Sequence, residues 1–225
     1  MSMVESLEAL NLHNTIIRNS VQGKSLEVFP SIYQQETNIA IWQRVMPDEL
    51  TSAVGEFLKT STNKQAILKV NEQDVHEQLF SAFEPTAAVT VIADDIAQLV
   101  SMFCCLFGIE HAGLRLTILE HAMCPRFHVD RIPCRLITTY QGVATQWLEH
   151  AGVNRSKLGT GNQGLPDEQS GLISKPHNIQ QLNCGDVALL KGEMWDEQQG
   201  AGLVHRSPPL AVGESRLLLT LDFIQ

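Results

Sequence analysis

The chain has 225 residues, 44% of them apolar and 18% charged, which is enough for one substantial core and lacks the polar bias of a disordered chain. Its formal charge of −9, with no basic run, argues against nucleic acid or an anionic membrane as partner and leaves a small-molecule or protein substrate. Five cysteines without a Cys-x-x-Cys pair, and an N-terminus without a basic, apolar and small-residue series, predict reduced thiols, no signal peptide and a cytoplasmic protein.

Residues 1–25 are polar and weakly periodic and read as a loosely packed arm. Val28-Phe29-Pro30 and Ile39-Ala-Ile-Trp42 are brief apolar runs, expected as strands at a sheet edge, where Pro30 is tolerated. Pro47-Asp-Glu-Leu before Val54, Phe57 and Leu58 predicts a helix, with proline and acids in the first turn. Val75, Leu79 and Phe83 predict a second. A third is expected to begin at Asp94-Asp95 and run from Ile96 to Phe107, closed by Gly108 and buried nearly all round. The apolar stretch Ile96 to Ile109 is too short to span a bilayer.

After Gly113 the apolar period changes to two, with Leu114, Leu116 and Ile118 alternating with Arg115 and Thr117, so strands take over. The His128 segment, Ile132 to Tyr140, Val143 to Leu148, Val187 to Leu190 and Leu217 to Ile224 follow. A Gly/Asn/Ser-rich loop lies between His150 and Pro176, and a second polar loop between Lys191 and Gly202. The expected fold is α+β in a single domain, 1–225. Residues 1–112 form a mainly helical cover with edge strands, and 113–225 a double-stranded β-helix, a cupin-like jelly roll, that carries the site.

Cys124-Pro-Arg-Phe-His-Val-Asp130 is the stretch that carries chemistry. On a strand, His128 and Asp130 face the same way and offer an imidazole nitrogen and a carboxylate oxygen to one ion. His205 is the expected third ligand, because early and late strands of a jelly roll share one mouth. Two histidines and a carboxylate on one side of a metal, with the other side open, suit non-haem Fe(II). Cys124 would share the ligand face of a regular strand and would then suit Zn(II), but Pro125 argues against that regularity. Thr138 and Tyr140 share a strand face and are candidates for hydrogen bonds to a bound carboxylate; ordinary strand packing is the plainer reading of both. Likewise, Asp130 paired with Arg131 or Arg135 on the surface is the alternative to a metal site.

His128-x-Asp130, His205 and then Arg216 resemble the pattern of Fe(II)/2-oxoglutarate-dependent dioxygenases. The resemblance implies catalytic iron on the three ligands and 2-oxoglutarate held through its distal carboxylate by Arg216, whose planar fork makes two parallel charge-assisted bonds. Leu218 departs from it, since Ser or Thr often stands two residues after the arginine. At closer range, Cys124 to Arg131, Arg135 to Gly142, Val204 to Pro209 and Arg216 to Asp222 resemble a bacterial family known as domain of unknown function 1826. Members of that family are similar in context to proteins of the zinc-starvation response. The expectation is therefore a hydroxylase- or demethylase-type oxygenase with Fe(II) and 2-oxoglutarate. The alternative is a non-catalytic, cupin-like metal-binding protein of zinc homeostasis with Zn(II) alone.

Overall fold

The structure, a computed structural model, describes residues 16–195 and 200–224. Two sheets face each other. The larger has seven strands in the order β1 (Asn19–Gly23), β2 (Thr37–Trp42), β8 (Val187–Lys191), β5 (Cys134–Gln141), β10 (Arg216–Phe223), β4 (Ala112–Leu119) and β3 (Gln65–Val70). The smaller has β7 (Ile179–Gln181), β6 (Gln146–Leu148) and β9 (His205–Arg206). Every pairing is antiparallel except β1 with β2.

Helices α1 (Asp48–Thr60), α2 (Val75–Ala82) and α3 (Ala87–Phe107) cover the outer face of the large sheet. Leu114 and Leu116 of β4, Leu136 of β5 and Leu217, Leu219 and Leu221 of β10 point into this helical core beside Ile92, Ile96, Leu99 and Phe103. Alternation turns the intervening residues inward, where Ile39, Ile41, Ile137, Ala188 and Leu190 meet Trp147 of the small sheet. The result is a mixed α/β fold with a sheet-rich, jelly-roll core.

The N-terminal half is not a mainly helical cover. Three of the large sheet's strands, β1, β2 and β3, come from it, and the first described helix begins only at Asp48. Residues 1–15 of the expected arm lie outside the described residues; Asn19–Gly23 is strand. Val28-Phe29-Pro30 belongs to a 3-10 helix, Leu26–Tyr33, because the Ser25 hydroxyl accepts the Glu27 N–H and Phe29 and Ile32 are buried by a helical turn. Ile39 to Trp42 is a strand, but one enclosed between β1 and β8 rather than at an edge.

The third helix starts earlier than expected and has 21 residues, capped by Thr86, whose hydroxyl accepts the Val89 N–H, and ended by Gly108 at φ 62°. By length and composition it could cross a membrane. Here Ile96, Leu99, Val100 and Phe103 are buried in the core. Asp95 is not an N-terminal acid but sits within the helix, where Arg44 grips it with two bonds of 2.7 and 3.0 Å.

Candidate functional site

The His128 segment is held by three neighbours rather than by membership of a long strand. His128 exchanges both backbone hydrogen bonds with His205, each 3.0 Å, forming an isolated bridge that extends the small sheet beyond β9. One residue earlier, the Phe127 N–H donates to the buried Asp167 carboxylate at 2.7 Å. Asp167 comes from the 151–177 loop, which folds as a series of 3-10 turns and buries Leu172 against Phe127, Leu148 and Val204. That loop is therefore a support for the site.

The bridge brings the imidazoles of His128 and His205 together, tilted by 49° with 4.6 Å between centroids. Both turn Nε2 toward Asp130, at 3.6 Å from His128 and 3.4 Å from His205. One ligand atom from each of the three residues lies within 4.8 Å of the others. Bonds of about 2.1 Å at 90–110° around one ion would set ligand atoms roughly 3.0–3.4 Å apart, so this donor set would take a divalent metal by closing in by on the order of 1 Å. His128 Nδ1 is 2.9 Å from the Arg126 carbonyl and His205 Nδ1 is 3.2 Å from that of Leu203. With Nδ1–H donated to the backbone, the lone pair of each ring falls on Nε2, facing Asp130. Cys124 is exposed and is not part of this group.

Asp130 has a further partner. Arg135 donates to it at 2.7 Å and clasps Asp222, its cross-strand neighbour on β10, through two bonds of 2.7 and 2.8 Å. The plainer expectation of an Asp130–Arg135 pair is thus met alongside the triad: the arginine aims the carboxylate at the histidines. Burial raises the Asp130 carboxyl, but the facing imidazoles, with Arg135, outweigh it and hold the group far below its ordinary range. For His128, burial lowers the pKa, yet Asp130 and the Arg126 carbonyl raise it further, and the net shift is upward. Gly192 belongs to this support, since a Cβ there would stand 1.9 Å from the Ile132 carbonyl oxygen and 2.9 Å from that of Asp130.

Between the sheets lies a pocket of about 520 Å³, open mouth included, lined by His128, His205 and Arg216 among others. Arg216 is 0% exposed and has no carboxylate partner among the described residues. Its guanidinium donates to the hydroxyls of Thr139 (2.9 and 3.2 Å), Thr145 (2.7 Å) and Ser207 (3.1 Å). Burial without a counter-charge pushes its pKa down to about 10. Hydroxyls orient the fork but leave its charge uncompensated, so the pocket floor attracts an anion.

The structure does not bring Thr138 and Tyr140 to this pocket. The strand parity expected for β5 is inverted: Arg135, Ile137 and Thr139 face the pocket, whereas Leu136 and Tyr140 face the helices. Tyr140 donates its hydroxyl to Asp95 at 2.7 Å, and Thr138 Oγ1 is buried without a hydrogen-bond partner. Trp195, in the polar loop after Lys191, packs against Tyr33 and Phe107 and does not line the pocket. Thr139, Thr145 and Asp167 were the residues sequence reasoning passed over. For Thr139 the available signal was its neighbour, because an aromatic beside it belonged with the helical core.

Comparison with solved structures gives the fold. The rice dioxygenase for auxin oxidation superposes with a TM-score of 0.50 at 8% identity, over 92% of this chain and 83% of that one. The dioxygenase for auxin oxidation 1 of Arabidopsis thaliana, in a binary complex with 2-oxoglutarate, gives 0.50 at 7% identity, over 92% of each chain. The chain thus has the jelly-roll fold of these dioxygenases. It belongs to the family described as protein of unknown function DUF1826, whose model matches residues 23–222. No curated protein matches it in sequence.

Proposed function

We propose that the protein is an Fe(II)/2-oxoglutarate-dependent oxygenase of the hydroxylase or demethylase type. The observation that carries this reading is the conjunction, in one pocket, of a His-Asp-His donor set and a fully buried arginine without a carboxylate partner. His128, Asp130 and His205 would hold the metal from one side, and Arg216 would take the distal carboxylate of 2-oxoglutarate. When bound, Fe(II) with the 2-oxo acid supplies activation of O₂ for oxidation of a substrate.

The chain's own residues have narrower tasks. The backbone carbonyls of Arg126 and Leu203 fix the imidazole tautomers, and Arg135 holds the Asp130 carboxylate in place. Thr139, Thr145 and Ser207 present the Arg216 fork to the pocket. Ile137 and Leu218 line the same pocket with apolar surface, which limits the water that competes for the arginine.

The test is metal analysis and 2-oxoglutarate turnover on protein purified without oxygen. One equivalent of Fe(II), lost in His128→Ala, Asp130→Asn and His205→Ala and retained in Cys124→Ser, together with O₂-dependent consumption of 2-oxoglutarate, is expected. Tight Zn(II) binding with no affinity for 2-oxoglutarate would replace this reading with metal handling.

A further inference from the structure

Fourteen residues line the pocket; four are arginines, two are histidines and none is a carboxylate, in a chain whose net charge is −9. Two of the arginines are neutralised from outside. Arg135 is held by Asp130 and Asp222, and Arg206 donates to Glu168 at 2.9 Å and stands 3.8 Å from Asp167. Arg216 and Arg115 remain without a compensating charge among the described residues. Arg115 has no hydrogen-bond or ion-pair partner among the described residues, although it is half-buried on β4 and lines the pocket.

The two arginines enter the pocket from separate places on the sheet. Arg115 lies opposite Thr220 and Arg216 opposite Leu119 in the β4–β10 register, so four residues of strand, roughly 13 Å, separate them along the sheet. Leu218 lies between them on β10, Ile137 is level with Arg115 on the far side of Thr220, and Met123 joins these at the wall. An arginine left unpaired in a partly dehydrated wall is unfavourable until an anion arrives, and its planar fork suits carboxylate or phosphate.

We propose that Arg115 is a substrate-recognition residue and that the primary substrate is a small organic anion, an apolar body of carbon carrying one carboxylate or phosphate group. This rests on the oxygenase reading of the same pocket. The anionic group sits on Arg115 near the mouth, the carbon skeleton lies over Ile137, Leu218 and Met123, and Arg216 is left to the co-substrate. Arg115 touches the substrate and not the metal, so its role is specificity.

The test uses Zn(II)-loaded protein saturated with 2-oxoglutarate and three probes of one shape: benzoate, phenyl phosphate and benzamide. Binding is followed by ligand-observed NMR titration in wild type, Arg115→Gln and Arg115→Lys. Benzoate or phenyl phosphate should bind at least about tenfold more tightly than benzamide, and the stronger of the two identifies the oxyanion. Arg115→Gln should abolish that preference, and Arg115→Lys should restore part of it, while the Kd for 2-oxoglutarate changes less than about twofold. Equal binding of the three probes, no binding of either anion, or a preference intact in Arg115→Gln overturns the proposal. Failure of wild type to bind 2-oxoglutarate is a separate result that sinks the oxygenase reading, and the probe titration without 2-oxoglutarate then still reads Arg115 on its own.

Discussion

Replacing Arg216 with methionine separates a structural arginine from one kept for a ligand. Lowering the guanidinium from 12.5 to about 10 corresponds to about 3 kcal/mol spent in holding its charge inside the ligand-free protein. Against this stand its bonds to Thr139, Thr145 and Ser207, at least about 1.5 kcal/mol net for each of the three hydroxyls, because the donor is charged. The bonds exceed the cost by only about 1–2 kcal/mol. Arg216→Met should therefore lower the urea-unfolding free energy of the ligand-free protein by no more than about 2 kcal/mol. An arginine in a buried ion pair would behave differently, since removing one partner there costs about 3–5 kcal/mol. With Zn(II) present and 2-oxoglutarate at a hundred times its Kd, wild type should gain about 2.7 kcal/mol. A variant bound a hundredfold more weakly gains less than about 0.5 kcal/mol at the same concentration. A loss of 3 kcal/mol or more without ligand, combined with an undiminished gain from 2-oxoglutarate, would refute the reasoning.

Arg135→Met removes the group that aims Asp130 without touching the metal, and should weaken Zn(II) binding by about 10–100-fold in a chelator competition while leaving one site per chain. Tyr140→Phe deletes a buried bond to Asp95 and should cost about 1–3 kcal/mol in unfolding, with the Kd for 2-oxoglutarate unchanged within about twofold. Metal affinity should fall with acid. The metal takes the neutral imidazole, and the raised pKa of His128 in the metal-free site starts proton competition above pH 6.5, steepening to about tenfold per pH unit below it; a Kd flat from pH 8 to 6 contradicts this.

Much of the site was legible because its chemistry is local in sequence or rare in kind. His128-x-Asp130 and the later His205 needed only a strand-like spacing and a shared mouth, whereas Arg216 was singled out by the resemblance to the oxygenase pattern and not by its own surroundings. The faces of β5 were not legible. Thr138, Thr139 and Tyr140 are all acceptable strand residues, and their direction is fixed by the layer that takes Leu136 and by a register shift between Leu217 and Leu218 on β10. Gly142, at φ 92° and with a Cβ position 2.7 Å from the Ser215 carbonyl, marks that irregularity only once the strands are paired. Helix α3 was read as beginning at its acids because acids favour first turns, whereas Asp95 answers a tertiary partner, Arg44, that sequence spacing does not reveal. The three N-terminal strands were missed or misplaced for the same reason: a short run such as Gln65–Val70 is strand because β4 lies beside it.

The most direct measurement is the visible spectrum of the anaerobic Fe(II) protein on addition of 2-oxoglutarate. A weak charge-transfer band that saturates at one equivalent in wild type, and is absent in His205→Ala and in Arg216→Met at the same concentration, is the predicted result. A wild-type spectrum unchanged by 2-oxoglutarate, with Fe(II) demonstrably bound, would contradict the assignment of this pocket as an oxygenase site.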